Sequence, residues 1–512
     1  MPKITDKTSE SLSEYLILTG WVTNNPENVS LETNLGNIYL KYPFITSRMQ
    51  SVVGPEMAVT AGRNGILTMI PRSLRDEDKQ AIINANNKAR LKKGDVELVK
   101  NPFRANPESS IEDIVKIVDI TGYSVIPVID RFSRLFGVYV HDPEHPLSIP
   151  SHTKIKRVMG RLSENKQNSR EVLFLRESNN RKIGKKEIGK FLEKHDVRFV
   201  PIVNKYNILE KIAFLNNFDT NFIGLALSTR QGWEEEIEKW GSQVDTLCID
   251  SSNACFTDAM NILKYTKKKF PDKPFGIGNI IQYEHFAMFA DAGADYIIGG
   301  MGVGSICKTG SERGNGRGQF TVAVELARAR DDYCEKTGKY IYFVLDGGIK
   351  NVKDMTVALA FADFIMMGHY FNSLYESAAR KFCADRKTVT NDERQMRYVE
   401  SWGEGHPRAR LVAMYGINLE QRSSEEPRLN ETIQRYGHLT LSGSTVEGVV
   451  QLIDYAGRLR PVVERSARYI RTTISNVGAS DLKSFREKVM LERASQMSLR
   501  DMLPHGGEVT EE

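Results

Sequence analysis

Short apolar runs recur along this chain, bounded by turn residues and mostly followed by amphipathic stretches. Runs at 38–45, 65–70, 222–227, 246–250, 275–278, 294–299, 340–345 and 363–367 have the length and residue types of strands. Helical periodicity fills the gaps at 231–241, 281–291, 319–337 and 352–360. Strands alternating with helices predict parallel pairing, and about eight such units predict a closed (β/α)8 TIM barrel of the α/β class. Barrels of this kind carry their chemistry on the loops after the strands. The polar and glycine-rich runs Asp250-Ser251-Ser252, Gly278-Asn279, Gly300 to Cys307, Asp346-Gly347-Gly348 and Gly368-His369 all fall at such positions.

The barrel rhythm breaks once, between 70 and 222. A helix is expected over 111–118 and a strand pair over 124–129 and 135–140; then the order repeats, with a helix over 186–193 and strands over 199–203 and 208–213. The phrase Tyr123-Ser-Val-Ile-Pro-Val-Ile-Asp130 echoes Val197-Arg-Phe-Val-Pro-Ile-Val-Asn204. A repeated helix–strand–strand module set into a barrel loop reads as a separate domain. The expected division is barrel over 1–100, inserted domain over 101–218, and barrel again over 219–512. Beyond Phe382 the chain is long and polar to about residue 430, read as an active-site flap (about 384–446) or a linker. Helices are expected at 457–478 and 481–495.

Composition narrows the class. The 512 residues are 40% hydrophobic and 26% charged, enough for sizeable cores. Seventy basic against 65 acidic residues leave a net charge of +5, too small to point to nucleic acid. The basic runs at 88–93 and 267–269 read as solvated helix faces. No apolar run has the length of a membrane span, and residues 1–18 carry no signal-type apolar stretch. The five cysteines are scattered without CxxC spacing, which disfavours disulfides and zinc and points to a reducing, cytoplasmic setting.

The central motif is Gly300-Met-Gly-Val-Gly-Ser-Ile-Cys307-Lys-Thr309. Its glycines permit close backbone approach, and Ser305 with neighbouring N–H groups can cradle a phosphate. A thiol amid backbone donors ahead of a helix is a competent nucleophile. Taken alone, the loop is equally compatible with a phosphate cradle holding an inert cysteine. The carboxylate of Asp346 can accept both hydroxyls of a ribose, and Gly348 and Gly368 can offer N–H groups to its phosphate. Asp250, Ser251, Ser252 and Asn279 form a second polar cluster; Asp250 also fits a helix cap.

Gly-Ser-Ile-Cys-x-Thr, then Gly316-x-Gly318-Gln319, then Asp-Gly-Gly-Ile, then Met-Met-Gly resemble, in that order, the inosine monophosphate dehydrogenase family. Pro43-Phe-Ile-Thr-Ser-Arg-Met49-Gln-Ser-Val is similar to the family's first substrate loop, and the inserted repeat to its paired cystathionine-β-synthase-type (CBS, Bateman) domain. Ser401-Trp-Gly-Glu404-Gly405 and Tyr455-Ala-Gly457 are most similar to protozoan-type members. The resemblance implies that Cys307 adds to C2 of the purine of inosine monophosphate, with NAD as hydride acceptor. Water then releases xanthosine monophosphate, the committed step of guanine nucleotide synthesis. It implies catalytic roles for Cys307, Thr309, Arg435, Tyr436 and Glu447. Substrate contacts would come from Met49, Ser305, Asp346, Gly347, Gly348, Gly368, His369, Ser401 and Glu404. Cofactor contacts would come from Asp250, Ser251, Ser252, Asn279, Gly300, Gly302 and Arg230. Potassium would be held by Gly302, Gly304 and Cys307, with Gly506 and Gly507 of the next subunit in a homotetramer, and regulatory nucleotides would bind the CBS pair.

The chain departs from that pattern in places. Ser401 stands where a phosphate-binding tyrosine is usual, His369 where serine or arginine is expected, Asn253 where an acidic residue or glycine is usual, and His505 where an acidic residue precedes the tail glycines. The water-activating pair reads as Arg435-Tyr436, twelve residues before Glu447; a competing alignment places it at Met414-Tyr415, just after Arg408 and Arg410, and loses the arginine. Two other readings remain at this point: a guanosine monophosphate reductase using NADPH, and a non-catalytic nucleotide sensor.

Overall fold

The computed structural model describes residues 5, 8–121, 123–141, 150–163, 171–178, 181–306, 309–389, 392–404, 406–416 and 450–502. It divides into two compact units: Met1–Ala89 with Asn221–Leu459 and Glu464–Glu512, and Arg90–Thr220 with Arg460–Val463.

The first unit is built on eight parallel strands: β1 (Phe44–Thr46), β2 (Thr68–Ile70), β3 (Ile223–Leu227), β4 (Thr246–Ile249), β5 (Phe275–Ile280), β6 (Tyr296–Gly299), β7 (Tyr342–Asp346) and β8 (Phe364–Met367). Each pairs in parallel with its neighbour, β1 with β8 and β2 with β3. A parallel bridge between Ile45 and Leu67 joins β1 to the approach of β2 and closes the ring. The barrel core is Ile45, Met69, Ala226, Cys248, Tyr296, Ile298, Val344, Phe364 and Met366. Tyr296 fills so much of it that a Cβ built on Gly276 would lie 1.9 Å from its ring. Helices α1 (Pro55–Arg63), α2 (Asp76–Ala89), α3 (Trp233–Trp240), α4 (Thr257–Lys269), α5 (Tyr283–Asp291), α6 (Gln319–Thr337) and α7 (Val352–Leu359) follow strands along the chain. The expected (β/α)8 barrel is present.

Some boundaries differ from expectation, each for a local reason. The run 38–45 splits into a hairpin strand, Ile38–Leu40, and β1. Pro43, without an N–H, stands between them. The hairpin, Thr33–Leu35 with Ile38–Leu40, adds Leu35, Ile38 and Leu40 to the barrel core. The basic run 88–93 lies mostly beyond the end of α2 at Ala89, whereas 267–269 is the last turn of α4. The polar stretch after Phe382 is not irregular where it is described: Lys381–Phe382, Thr388–Val389, Tyr398–Trp402 and Val450–Asp454 form an antiparallel sheet. Residues 481–495 are a helix, Leu482–Lys488, and then a strand, Met490–Arg493, paired with Tyr15–Leu18.

The second unit takes in Val96–Lys100, whose pairing with Leu209–Leu215 draws its start ahead of residue 101. The two echoed phrases fold alike. Val125–Ile129 pairs with Leu135–Val140, and Phe199–Val203 with Leu209–Leu215; register shifts fall at Val128/Ile129 and at Ile202/Val203, the same place in each copy. Asp130 accepts from the N–H groups of Phe132 and Arg134, and Asn204 from those of Tyr206 and Ile208. Ser133 and Asn207 adopt matching left-handed φ angles of 61° and 62°.

Candidate active site at the barrel rim

A cavity of about 570 Å³ opens at the C-terminal ends of the strands. The loops after β1, β4, β6, β7 and β8 and Asn279 at the end of β5 line it, together with Gly403 and Glu404 from beyond the barrel. This size suits a small-molecule ligand.

The loop after β6 is set by its glycines. Gly300 has φ of 134°, and a Cβ there would lie 2.2 Å from the carbonyl oxygen of Asp346. The side-chain amide of Asn279 donates to the Gly300 carbonyl at 2.8 Å, and that of Gln319 donates to the Asp346 carbonyl at 2.8 Å. These bonds tie Gly300 to the end of β5 and the Asp346 carbonyl to the start of α6. Gly347 and Gly348 both have positive φ, turning the chain directly after Asp346. Gly368 packs against Met49, where a Cβ would meet its sulfur at 2.7 Å.

A charged network that sequence reasoning did not assign reaches the cavity through Asp346 and Asn279. Arg48, one residue past Ser47 on the β1 loop, is only 5% exposed. Its guanidinium donates to Asp346 Oδ2 at 2.8 Å, to Asn279 Oδ1 at 2.9 Å and to the Ile249 carbonyl at 3.3 Å. The same cation stands 3.5 Å from Asp250, which also meets Arg72 at 3.4 Å. Burial pushes the Asp346 carboxyl above its ordinary range, while Arg48 and Asn279 pull it back. Burial also raises the Cys248 thiol, to about 12. A charged residue just past the end of a barrel strand was the signal that could have drawn attention to Arg48.

Glu404 forms a second cluster. It accepts from the Gln50 backbone N–H at 3.1 Å and from the Ser73 hydroxyl, while the Gln50 side chain donates to the Ala409 carbonyl at 3.1 Å. Burial pushes the Glu404 carboxyl up to about 7, with the Ser73 bond acting against that rise. Burial lowers the His369 imidazole, opposed by Asp454.

The structure brings many of the expected residues to one cavity. Of the expected substrate contacts, Met49, Ser305, Asp346, Gly347, Gly348, Gly368, His369 and Glu404 line it, as do Ser252, Asn279, Gly300 and Gly302 of the cofactor group and Gly304 of the potassium group. Ser401 does not: it is 1% exposed within the strand Tyr398–Trp402, so its hydroxyl is withheld from the cavity. Asp250, Ser251 and Arg230 are also off the lining. Asp250 is turned to its two arginines, Ser251 donates to the Asn253 carbonyl, and Arg230 is exposed. Thr309 begins the short helix Thr309–Arg313. Cys307, Arg435, Tyr436, Glu447, His505, Gly506 and Gly507 lie outside the described residues. In the competing stretch, Arg408 is bound to Glu400 at 2.9 Å and lies over the Trp402 ring, while Met414 is 69% exposed. Among the described residues no group of three or more His, Cys, Asp or Glu could hold a metal, and no helix is long and apolar enough to cross a membrane.

Comparison with known proteins agrees with this geometry. The family model described as IMP dehydrogenase / GMP reductase domain matches residues 10–505. An inosine-5'-monophosphate dehydrogenase of Tritrichomonas foetus is 30% identical, over 98% of this chain and 96% of that protein. One from Schizosaccharomyces pombe is 25% identical, over 94% and 87%. A solved structure of a GMP reductase variant from Trypanosoma brucei with guanosine 5'-monophosphate covers 98% of each chain at a TM-score of 0.62 and 19% identity, a likeness of fold. With a family match over residues 10–505 and a 30% identical relative over 98% of its length, the chain belongs to the IMP dehydrogenase / GMP reductase family.

Proposed function

We propose that this chain oxidises inosine 5'-monophosphate to xanthosine 5'-monophosphate with NAD. The observation that carries the reading is the shared cavity of Ser305, Asp346, Gly348 and Gly368, which offers a ribose acceptor beside two glycine-rich phosphate donors. In this reading Asp346 holds the ribose hydroxyls, and Ser305, Gly348 and Gly368 hold the phosphate. Met49 and Glu404 face the base. The Cys307 thiolate adds to C2 of the purine. NAD, when bound, would supply the hydride acceptor for C2; with that hydride gone, the Cys307 sulfur is left joined to the ring as a thioimidate. Water then adds to C2 and the C–S bond breaks, returning the thiol and releasing xanthosine monophosphate. Arg435 and Tyr436, with Thr309 and Glu447, take the proton from that water. An arginine is a reluctant base, so its neighbours share the task.

The nicotinamide half of NAD would meet Ser252 and Asn279, with Arg230 towards the adenosine. Potassium suits the loop after β6. Its glycines pack backbone on backbone, so that a Cβ on Gly310 would lie 3.0 Å from the Gly302 carbonyl. Carbonyls are the hard oxygen donors such an ion takes. Gly302, Gly304 and Cys307 would hold it, joined by Gly506 and Gly507 of a neighbour in a homotetramer, and it would organise the cysteine loop. The second unit, with its repeated turns, is read as a CBS pair for regulatory nucleotides, and the protein as cytoplasmic.

The alternative is GMP reduction with NADPH, favoured if the flap pair is Met414-Tyr415, where no arginine precedes the tyrosine. Purified protein offered inosine monophosphate with NAD, and separately guanosine monophosphate with NADPH, decides between them. NADH formation stimulated by potassium is the expected result; NADPH consumption with ammonia release and no NADH in the first assay supports the reductase.

A further inference from the structure

The charged network at the cavity joins two carboxylates through one buried cation. Asp346 ends β7 and Asp250 follows β4, and their side chains are 15% and 18% exposed. Two carboxylates this buried repel each other. Arg48 reaches both, at 2.8 and 3.5 Å. Asn279, at the end of β5, completes the frame: its amide donates to Asp346 Oδ2 at 3.1 Å while its oxygen accepts from Arg48. Both side-chain bonds to Asp346 among the described residues fall on Oδ2, leaving Oδ1 for a ligand. The other titratable groups here are Arg72, which holds the far oxygen of Asp250, and the buried Cys248 thiol beside Arg48.

We propose that Arg48 is a positioning residue: its guanidinium holds the Asp346 carboxylate ionised and turned so that Oδ1 meets the ribose of the bound nucleotide. The inference rests on the reading above, in which Asp346 is the ribose acceptor. An ionised carboxylate accepts from both ribose hydroxyls, whereas a protonated one spends an oxygen as a donor. Removing Arg48 leaves burial and Asp250 acting on Asp346 with only Asn279 opposing them. The carboxyl then keeps its proton to higher pH.

The test uses the full chain and two ligands, inosine monophosphate and its 2'-deoxy analogue, titrated by calorimetry from pH 5.5 to 8.5. The phosphate titrates equally in both ligands, so the ratio of their affinities reports on the ribose contact. Wild type is expected to prefer the ribonucleotide about tenfold or more throughout, the size of a charge-assisted hydrogen bond. Arg48→Met is expected to lose that preference at pH 5.5 and regain part of it at pH 8.5. Arg48→Lys, whose compact charge reaches fewer partners, is expected to keep the preference at pH 8.5 and to lose part of it at pH 5.5, less than Arg48→Met loses. A purely structural role would weaken both ligands together and leave the ratio unmoved; an unmoved ratio in Arg48→Met overturns the proposal. If circular dichroism shows that Arg48→Met does not fold, Arg48→Lys decides, and a wild-type pH profile in that variant overturns it. Wild type that binds neither ligand overturns the nucleotide reading and this inference with it.

Discussion

Replacing Glu404 by glutamine ought to stabilise the folded chain in neutral solution by an amount that grows with pH. The carboxyl is pushed to about 7 by burial, from an ordinary 4.5. A carboxyl raised on folding binds its proton more tightly in the folded state, so stability is fully present below the unfolded value and is lost as pH rises towards the folded one. Between pH 4.5 and 7 the loss is about 1.4 kcal/mol per pH unit, so about 3 kcal/mol is forfeited above pH 7. That figure is an upper bound, because Glu404 borders a cavity whose water screens the charge. Glutamine can still accept from the Gln50 N–H and donate to Ser73, yet carries no charge. Denaturant unfolding of both proteins from pH 4.5 to 8.5 should show nearly equal stability at the acid end and the variant ahead by 1–3 kcal/mol at pH 8, on the order of the linkage estimate. Glu376, also raised to about 7 by burial, contributes equally to both and cancels. A gap independent of pH, or a variant less stable at pH 8, would refute the assignment of Glu404 as a desolvated carboxyl.

Other consequences are as direct. Gly300→Ala places a methyl 2.2 Å from the Asp346 carbonyl, in a backbone region suited to glycine; it should cost roughly 2–3 kcal/mol in unfolding experiments and abolish nucleotide binding. Gly276→Ala, driven into the Tyr296 ring, should cost about 1–3 kcal/mol, measured as a lowered melting temperature with nucleotide affinity per folded molecule little changed. Arg435→Ala should slow hydrolysis more than hydride transfer, giving an NADH burst and then a slow phase in stopped flow; unchanged steady turnover would move the water-activating pair elsewhere.

The barrel was legible because its strands are buried on both sides and read as unbroken apolar runs; Ile223–Leu227, buried along its whole length, is an example. Much of the rim was legible because glycines near Asp and Ser recur at several strand ends at once, in Gly300 to Ser305, Asp346 to Gly348 and Gly368. What escaped were interactions between distant residues. Arg48 gains meaning only when the closed ring places β1 two strands from β7, bringing it 2.8 Å from a residue 298 positions away. Asp250 showed its charge in the sequence but not the two arginines that hold it. The antiparallel sheet beyond Phe382 was hidden because its strands are short; its outer member, Val450–Asp454, lies 48 positions beyond the end of its partner, 450 − 402. Ser401 shows the opposite failure: a matching position in a motif did not secure a place at the cavity.

The claim on which the rest depends is a covalent bond between Cys307 and the purine. Mixing the protein with inosine monophosphate and NAD, quenching in acid within the first turnover and mapping peptides by mass spectrometry tests it directly. The Cys307 peptide is expected to gain the mass of the nucleotide less two hydrogens, and Cys307→Ala to yield neither adduct nor NADH. NADH formed by Cys307→Ala at the wild-type rate, with no adduct on the wild-type peptide, would contradict it.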